Sequence, residues 1–178
     1  GARQGDAILS ANTVLLTFYT LFSYIMDGFA FAAEAICGRT YGSGDIALFR
    51  ASVRRLFFWG WVMVLLFTLL YAVGGMPLVH FMTDEPSVLQ VIGQYFVWVL
   101  FIPVCGMAAF VYDGVFIGIT DTRGMLVSSL FAAALFFAQF FVGQYFHLSV
   151  NDALWSAFLS YLVMRGVVQY GWMKSVKR

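Results

Sequence analysis

The sequence predicts an all-α polytopic membrane protein with five transmembrane helices. Hydrophobic residues make up 62% of its 178 residues and charged residues only 11%, whereas a soluble domain is roughly 45–50% apolar and about 25% charged. The apolar residues form five long runs separated by short polar segments. Each run reaches the length of about 20 residues that a helix needs to cross a bilayer.

This composition excludes a soluble enzyme, a disordered tail and a disulfide scaffold, because a surface with so few charges would aggregate in water. The net charge of +1 offers no basic field, so we expect no nucleic-acid partner. Cys37 and Cys105 lack metal-binding spacing and lie in or beside apolar runs. We expect both to be small buried hydrophobic residues.

The first two predicted spans cover residues 8–33 and 56–82. The second has no charged residue except a possible charge on His80. Gly38, Gly42 and Gly44 are expected to break the chain after the first span. The first span is the least apolar, with six polar residues: Asn12, Thr13, Thr17, Thr20, Ser23 and Asp27.

The remaining predicted spans cover residues 88–119, 125–146 and 153–172. The third exceeds the length of one straight crossing, so it must tilt, kink at Pro103 or extend past the membrane. Asn151 or Asp152 is the expected N-cap of the fifth span. No linker long enough to separate two domains is visible, so residues 1–178 are expected to form one transmembrane unit.

The distribution of basic residues predicts the orientation, because cytoplasmic loops carry an excess of Lys and Arg. Every Lys and Arg in the loops lies in one of three places, namely the segment after span one, the segment after span three and the C-terminus. The other loops hold His80, Asp84, Glu85, His147 and Asp152. We therefore expect a multi-pass protein of the inner (plasma) membrane, with Gly1 outside, the C-terminus in the cytoplasm and a span missing upstream. The eight basic residues are Arg39, Arg50, Arg54, Arg55, Arg123, Lys174, Lys177 and Arg178.

Ionisable residues inside a span are costly and indicate function. Asp27 and Glu34 lie seven residues apart on nearly the same helix face, and Asp113 lies near the inner end of span three. A buried carboxylate can exchange protons near neutral pH or, beside carbonyl groups, hold a sodium ion. Glu34 has an alternative interpretation, in which it marks the membrane edge beside Arg39. Arg165 is expected to be structural, either by snorkelling or by pairing with a carboxylate.

The sequence does not predict an enzyme. Tyr112-Asp113 and Gly42-Ser43-Gly44-Asp45 are similar to elements of intramembrane aspartyl proteases, but they occur in the wrong order. Asp45 also lies in a basic, glycine-rich loop rather than in a span. The histidines lie near the outer surface without nearby ligands, so we expect no metal site and no cofactor other than a coupling ion.

Three segments resemble the MATE (multidrug and toxic compound extrusion) family, and specifically its DinF-like branch. The most specific runs Tyr24-Ile25-Met26-Asp27-Gly28-Phe29-Ala30-Phe31-Ala32-Ala33-Glu34 and continues to Gly38-Arg39-Thr40-Tyr41-Gly42. The second is Tyr112-Asp113-Gly114-Val115-Phe116-Ile117-Gly118, and the third is Arg165-Gly166.

The resemblance implies a twelve-helix transporter of two six-helix lobes, of which this chain would be spans eight to twelve. Its partners would be the bilayer and the missing N-terminal lobe. Such proteins are antiporters that exchange protons or sodium ions for organic cations, drugs or metabolites by alternating access. Asp113 would lie in the tenth span, where related branches carry a cation-binding carboxylate.

We expect Asp113, Asp27 and Glu34 to couple cation or proton movement to transport. The nearby aromatic residues Tyr24, Phe29 and Tyr112 are candidate substrate-lining residues through cation–π contacts, with helix packing as the alternative role. A flippase for lipid-linked precursors is the alternative function. It would be expected to have a basic cavity, whereas the carboxylates in the spans outnumber Arg165.

Overall fold

The computed structural model describes residues 5–146 and 149–176, and over those residues it consists of five long α-helices. They are α1 (Asp6–Gly42), α2 (Ile46–Met82), α3 (Pro86–Gly118), α4 (Thr122–Tyr145) and α5 (Val150–Val176). The predicted all-α class is confirmed. Gly1, His147, Lys177 and Arg178, which entered the prediction of orientation, lie outside the described residues.

Four of these helices, α1 to α4, are long and apolar enough to cross a membrane. Helix α5 has 27 residues and is long enough, but it is more polar because Asn151, Asp152, Arg165 and Gln169 are distributed along it. A polar helix can still cross a bilayer where its polar groups face protein partners. Because α5 is more polar than the other helices, its crossing of the membrane as the fifth span stays a prediction.

The expected break after the first span is present at Gly44, but the part of it expected at Gly38 is wrong. Helix α1 continues through Gly38 to Gly42, and α2 begins at Ile46, so only residues 43–45 connect them. The carboxylate of Asp45 caps α2 by accepting a hydrogen bond of 2.8 Å from the backbone N–H of Leu48. The helices extend beyond the apolar runs because capping and helix contacts, rather than apolar content, determine where they end.

The expected N-cap of α5 is also wrong, since Ser149 takes that position. The Ser149 hydroxyl accepts a hydrogen bond from the backbone N–H of Asp152 at 3.1 Å and donates one to the Asp152 carboxylate at 2.6 Å. Asn151 instead lies buried inside the first turn of the helix.

Helix α3 is central, because it contacts each of the other four helices. The side chains of α1 that face this core recur three or four residues apart, as the helical period requires. Cys37 is buried as predicted, and Cys105 is half-buried. The buried stripe of α1 comprises Ala11, Leu15, Phe18, Phe22, Met26, Ala33 and Cys37.

Helices α1 and α3 touch backbone to backbone at three small residues. A Cβ on Gly114 would lie 2.1 Å from the carbonyl oxygen of Ala30, and one on Gly118 would lie 2.5 Å from that of Glu34. Gly38 in turn meets the carbonyl of Gly118. Small residues spaced four apart allow this close approach inside membranes. The contact fixes the relative height of the two helices.

Candidate functional site

A polar cluster lies between α3 and α5 and is centred on the carboxylate of Asp113. Arg165 Nη2 donates a hydrogen bond to Asp113 Oδ2 at 2.5 Å. Gln169 Nε2 donates to Asp113 Oδ1 at 2.6 Å. Both carboxylate oxygens therefore have a partner. Of the two structural roles expected for Arg165, pairing with a carboxylate is the one that the structure shows.

The sequence of α5 places both donors on one helix face. Arg165 and Gln169 are four residues apart in the sequence, so they lie about one helical turn apart on the same face. Gly166 brings α5 against α3, since a Cβ there would lie 2.9 Å from Cβ of Ala108. Sequence reasoning missed Gln169, although an amide four residues from an arginine in an apolar run is a signal that could have found it.

The cluster retains polar atoms without partners. Among the described residues, Arg165 Nε and Gln169 Oε1 are buried and make no hydrogen bond. The Gln169 side chain is fully buried, with 0% exposure. Buried polar groups normally find a partner. The N–H group of Arg165 Nε and the Oε1 atom of Gln169 therefore remain as one donor and one acceptor for a further polar partner beside Asp113.

Asp27 lies close to this cluster but on the open face of α1. The Ala30–Gly114 contact places Asp27 within about a helical turn of the height of Asp113. Asp27 is exposed, and none of the hydrogen bonds or ion pairs between described residues involves its side chain. It therefore offers an unpaired carboxylate beside a paired one.

Glu34 lies outside the cluster. It is seven residues beyond Asp27 on α1, about 10 Å further towards the end that the charge pattern predicts to be inner. Its backbone carbonyl faces Gly118 at the helix contact, and its side chain is half-buried. The structure thus places Asp27 and Asp113 at similar heights on neighbouring helices, whereas Glu34 lies about two turns further along α1.

The three candidate substrate-lining residues do not share one surface. Tyr24 is 70% exposed and lies one turn before Asp27. It borders an apolar groove of about 510 Å³ between α1 and α2. Phe29 is half-buried and packs against the hydrophobic core, in agreement with the packing alternative.

Tyr112 is only 5% exposed and packs against Phe57 in a tilted arrangement, with ring centroids 4.8 Å apart. It borders a second groove of about 430 Å³, which is lined by residues of α2, α3 and α5 and by none of α1. Of the three aromatic residues, Tyr24 therefore is the one that lies on the same face of α1 as Asp27.

The hydroxyl groups in the first half of α1 form hydrogen bonds within the helix itself. The hydroxyls of Thr13, Thr17 and Thr20 donate to the carbonyl oxygens four residues earlier, and that of Ser23 donates to the carbonyl three residues earlier. Such bonds satisfy hydroxyl groups inside a membrane helix. Asp27 cannot use this pattern, because an ionised carboxylate only accepts hydrogen bonds.

A second polar cluster joins the first turns of α1 and α5. Trp155 Nε1 donates to Asn12 Oδ1 at 3.1 Å, and Asn12 Nδ2 donates to Asn151 Oδ1 at 2.6 Å. The indole can only donate, so it fixes the orientation of both amides. The Asn151 Nδ2 group is buried without a partner among the described residues. Sequence reasoning missed this cluster because its members are far apart in the chain.

Comparison with known proteins gives two matches. Residues 1–142 match the MatE family. Over 171 residues the chain is 33% identical to DNA damage-inducible protein F of Escherichia coli (strain K12), and the aligned region covers 94% of this chain and 36% of that protein. The chain thus spans about a third of the length of this relative. The family match includes Asp27, Glu34 and Asp113 and ends before α5.

Proposed function

This chain belongs to the MatE family, and on that premise we propose that the complete protein is a cation-coupled antiporter. It exports small organic cations, drugs or metabolites by alternating access, in exchange for protons or sodium ions. It resides in the inner (plasma) membrane with its C-terminus in the cytoplasm. The rest of the protein supplies a second lobe against the open face of α1.

The observation that carries this proposal is the exposed, unpaired carboxylate of Asp27 beside the paired carboxylate of Asp113. A carboxylate inside a membrane helix is costly, so its presence indicates a role in binding or moving cations. A proton, a sodium ion and an organic cation all neutralise the same charge. They therefore compete for it, and competition for one site couples the two fluxes.

Asp113 contributes to this coupling through Arg165. While Arg165 is bound to Asp113 it cannot neutralise Asp27, which lies at a similar height on α1. Protonation of either carboxylate changes the charge of this region and biases one of two lobe arrangements. Glu34 would act separately, nearer the inner end of α1, as a second station for the coupling ion.

Tyr24 supports recognition of organic rather than only inorganic cations. Its exposed ring lies one turn from Asp27, and an aromatic face attracts a cation by about 0.5–2 kcal/mol, depending on desolvation. The groove that it borders is otherwise apolar, with Leu21, Ile25 and Phe67 among its lining residues. A cation with an apolar body fits this combination of surfaces.

The alternative, a flippase for lipid-linked precursors, calls for a basic cavity that binds a phosphate group. Arg165 is the one basic residue of the described chain in the middle of the helices, and its guanidinium is bound to Asp113. The exposed group of this region is the acidic Asp27. The charge therefore favours cationic cargo.

The test uses the complete protein in proteoliposomes. Efflux of a fluorescent organic cation is followed under an imposed pH gradient and under a sodium gradient. We expect gradient-driven efflux by the wild type, its loss in Asp27→Asn and Asp113→Asn, and its retention in Asp84→Asn, which changes an acidic residue between α2 and α3. Efflux by the wild type that is independent of both gradients would contradict the proposal.

A further inference from the structure

We propose that Gln169 is a hydrogen-bond switch for Asp113, whose side-chain amide turns so that it donates to the ionised carboxylate and accepts from the protonated one. This inference rests on the proposed function and deepens it, since it assigns a positioning residue to one of the coupling carboxylates. It starts from the amide of Gln169, whose Nε2 donates to Asp113 Oδ1 at 2.6 Å.

The two oxygens of Asp113 have partners of different chemistry. Arg165 Nη2 donates to Oδ2 at 2.5 Å, whereas the donor to Oδ1 is the neutral amide of Gln169. A guanidinium only donates and keeps its charge at every physiological pH. Oδ2 therefore remains an acceptor, and Oδ1 is the oxygen that a proton occupies.

An amide group carries a donor and an acceptor, which exchange places when the group makes a half turn. The ionised carboxylate only accepts, so it requires Nε2 of Gln169, as the structure shows. Once Oδ1 of Asp113 is protonated it becomes a donor, so it requires Oε1 instead. The proton comes from water, an O–H bond forms at Oδ1, and no covalent bond of Gln169 changes.

The Oε1 atom of Gln169 is available for this second bond. It is buried and makes no hydrogen bond among the described residues, so no third group holds the amide in one orientation. After the turn, Nε2 is the unpaired atom in place of Oε1, and the number of unpaired polar atoms stays the same. Because Gln169 is 0% exposed, bulk water does not compete for the amide.

The packing of α5 holds Gln169 beside Asp113 while the amide turns. Three residues before Gln169, Gly166 brings α5 against α3, since a Cβ there would lie 2.9 Å from Cβ of Ala108. Three residues after it, Trp172 Nε1 donates to Asp121 Oδ2 at 2.9 Å, just beyond the end of α3. Since α5 is fixed on both sides of Gln169, the side chain rather than the backbone responds to the proton.

The helices that pack against α3 also carry titratable groups at the same end of the molecule as Asp113. Arginine, lysine and tyrosine keep their protonation near neutral pH, so the carboxylates among these groups are the ones to be separated from Asp113 by experiment. The groups are Asp27, Glu34, Arg39 and Tyr19 on α1, Arg50, Arg54 and Arg55 on α2, Arg123 on α4, Tyr161, Arg165, Tyr170 and Lys174 on α5, and Asp121 between α3 and α4.

The test is infrared difference spectroscopy of the complete protein in lipid, recorded between alkaline and acid buffer. The C=O band of protonated Asp113 is assigned by its loss in Asp113→Asn, and that of the Gln169 amide by its loss in Gln169→Met. A hydrogen bond to a carbonyl oxygen weakens the C=O bond and lowers its stretching frequency. We expect acid to shift the Gln169 band to lower frequency as the Asp113 band appears, and we expect no such shift in Asp113→Asn.

The variant Gln169→Met keeps the length of the side chain but has no amide. Protonated Asp113 then loses its acceptor, so its C=O band should shift to higher frequency. Gln139→Met makes the same change at a half-buried glutamine of α4 and should leave both bands at their wild-type frequencies. If Gln169→Met does not fold, Gln169→Glu keeps the shape of the side chain and serves to assign the amide band.

Protonation of Asp113 with an unshifted Gln169 band would overturn the inference, and so would the absence of an Asp113 band in acid buffer. Either result would leave antiport through Asp27 intact. Failure of the wild type to transport an organic cation under any gradient would contradict the proposed function itself. The spectra would still test the switch in that case, because they do not depend on transport.

Discussion

The backbone of Gly114 on α3 lies directly against the carbonyl group of Ala30 on α1. A methyl group on Gly114 would come within 2.1 Å of that oxygen, a distance at which the helices must separate. This contact places Asp27 and Asp113 at similar heights on neighbouring helices. The dipeptides Asp27-Gly28 and Asp113-Gly114 therefore have different roles, since Gly28 faces open space and Gly114 forms the helix contact.

This difference gives a matched pair of variants. We expect Gly114→Ala to lower the thermal unfolding temperature of the complete protein clearly, because overpacking typically costs about 1–3 kcal/mol. Gly28→Ala should leave the temperature unchanged or raise it, because alanine favours helices. Thermal unfolding in detergent measures both. Equal unfolding temperatures for the two variants would show that the helices do not touch at Gly114.

Replacing one partner of the Asp113–Arg165 pair should destabilise the protein more than replacing both partners. Arg165→Ala leaves a largely buried carboxylate with Gln169 as its remaining partner, and we expect a loss of about 3 kcal/mol in the free energy of unfolding. The double variant Asp113→Asn with Arg165→Gln should lose less, because no unpaired charge stays buried. Arg54→Ala, at an exposed position, serves as the control. A double variant less stable than Arg165→Ala would contradict this expectation.

The hydroxyl of Tyr71 joins α2 to α1 by donating to the carbonyl oxygen of Phe18 at 2.6 Å. Tyr71→Phe should lower the free energy of unfolding by about 1 kcal/mol, the usual net value of one hydrogen bond. Tyr145→Phe is the matched control, since Tyr145 is exposed. Chemical denaturation of both variants measures the difference, and similar stabilities would indicate that the Tyr71 bond contributes nothing.

Thr120 lies two residues beyond the end of α3 and has a positive φ of 60°, in the left-handed region that disfavours a β-branched residue. Thr120→Gly should therefore stabilise the protein by up to about 1 kcal/mol. Thr83 follows α2 with an extended backbone, φ −153°, so Thr83→Gly should be destabilising. Unfolding temperatures that shift in the same direction for both variants would contradict this explanation.

The sequence predicted the parts of the fold that depend on apolar length. The number of helices and the buried Cys37 follow from runs of apolar residues. The ends of the helices did not follow, because the cap formed by Asp45 and the contact of Gly38 with Gly118 depend on short-range geometry and on packing. Ser149 shows the same limitation, since two neighbouring residues have equally good capping side chains.

The sequence singles out the charged residues of the helices but not the contacts between them. Asp27 and Asp113 are conspicuous because charges are rare in apolar runs, and Arg165 is conspicuous for the same reason. Gln169 is neutral and was missed, although it donates to Asp113 at 2.6 Å. The contrast between a paired Asp113 and an exposed Asp27 depends on how α1, α3 and α5 pack, which a single sequence does not encode locally.

Competition between cargo and coupling ion is tested most directly by the affinity of the complete protein for tetraphenylphosphonium, measured by equilibrium binding at several pH values and sodium concentrations. If one carboxylate region binds cargo and coupling ion in competition, we expect the apparent Kd to increase as either the proton or the sodium concentration rises. Asp27→Asn should weaken binding and remove that dependence, whereas Asp84→Asn should behave as the wild type. A wild-type Kd that is constant across both series would contradict competition at Asp27.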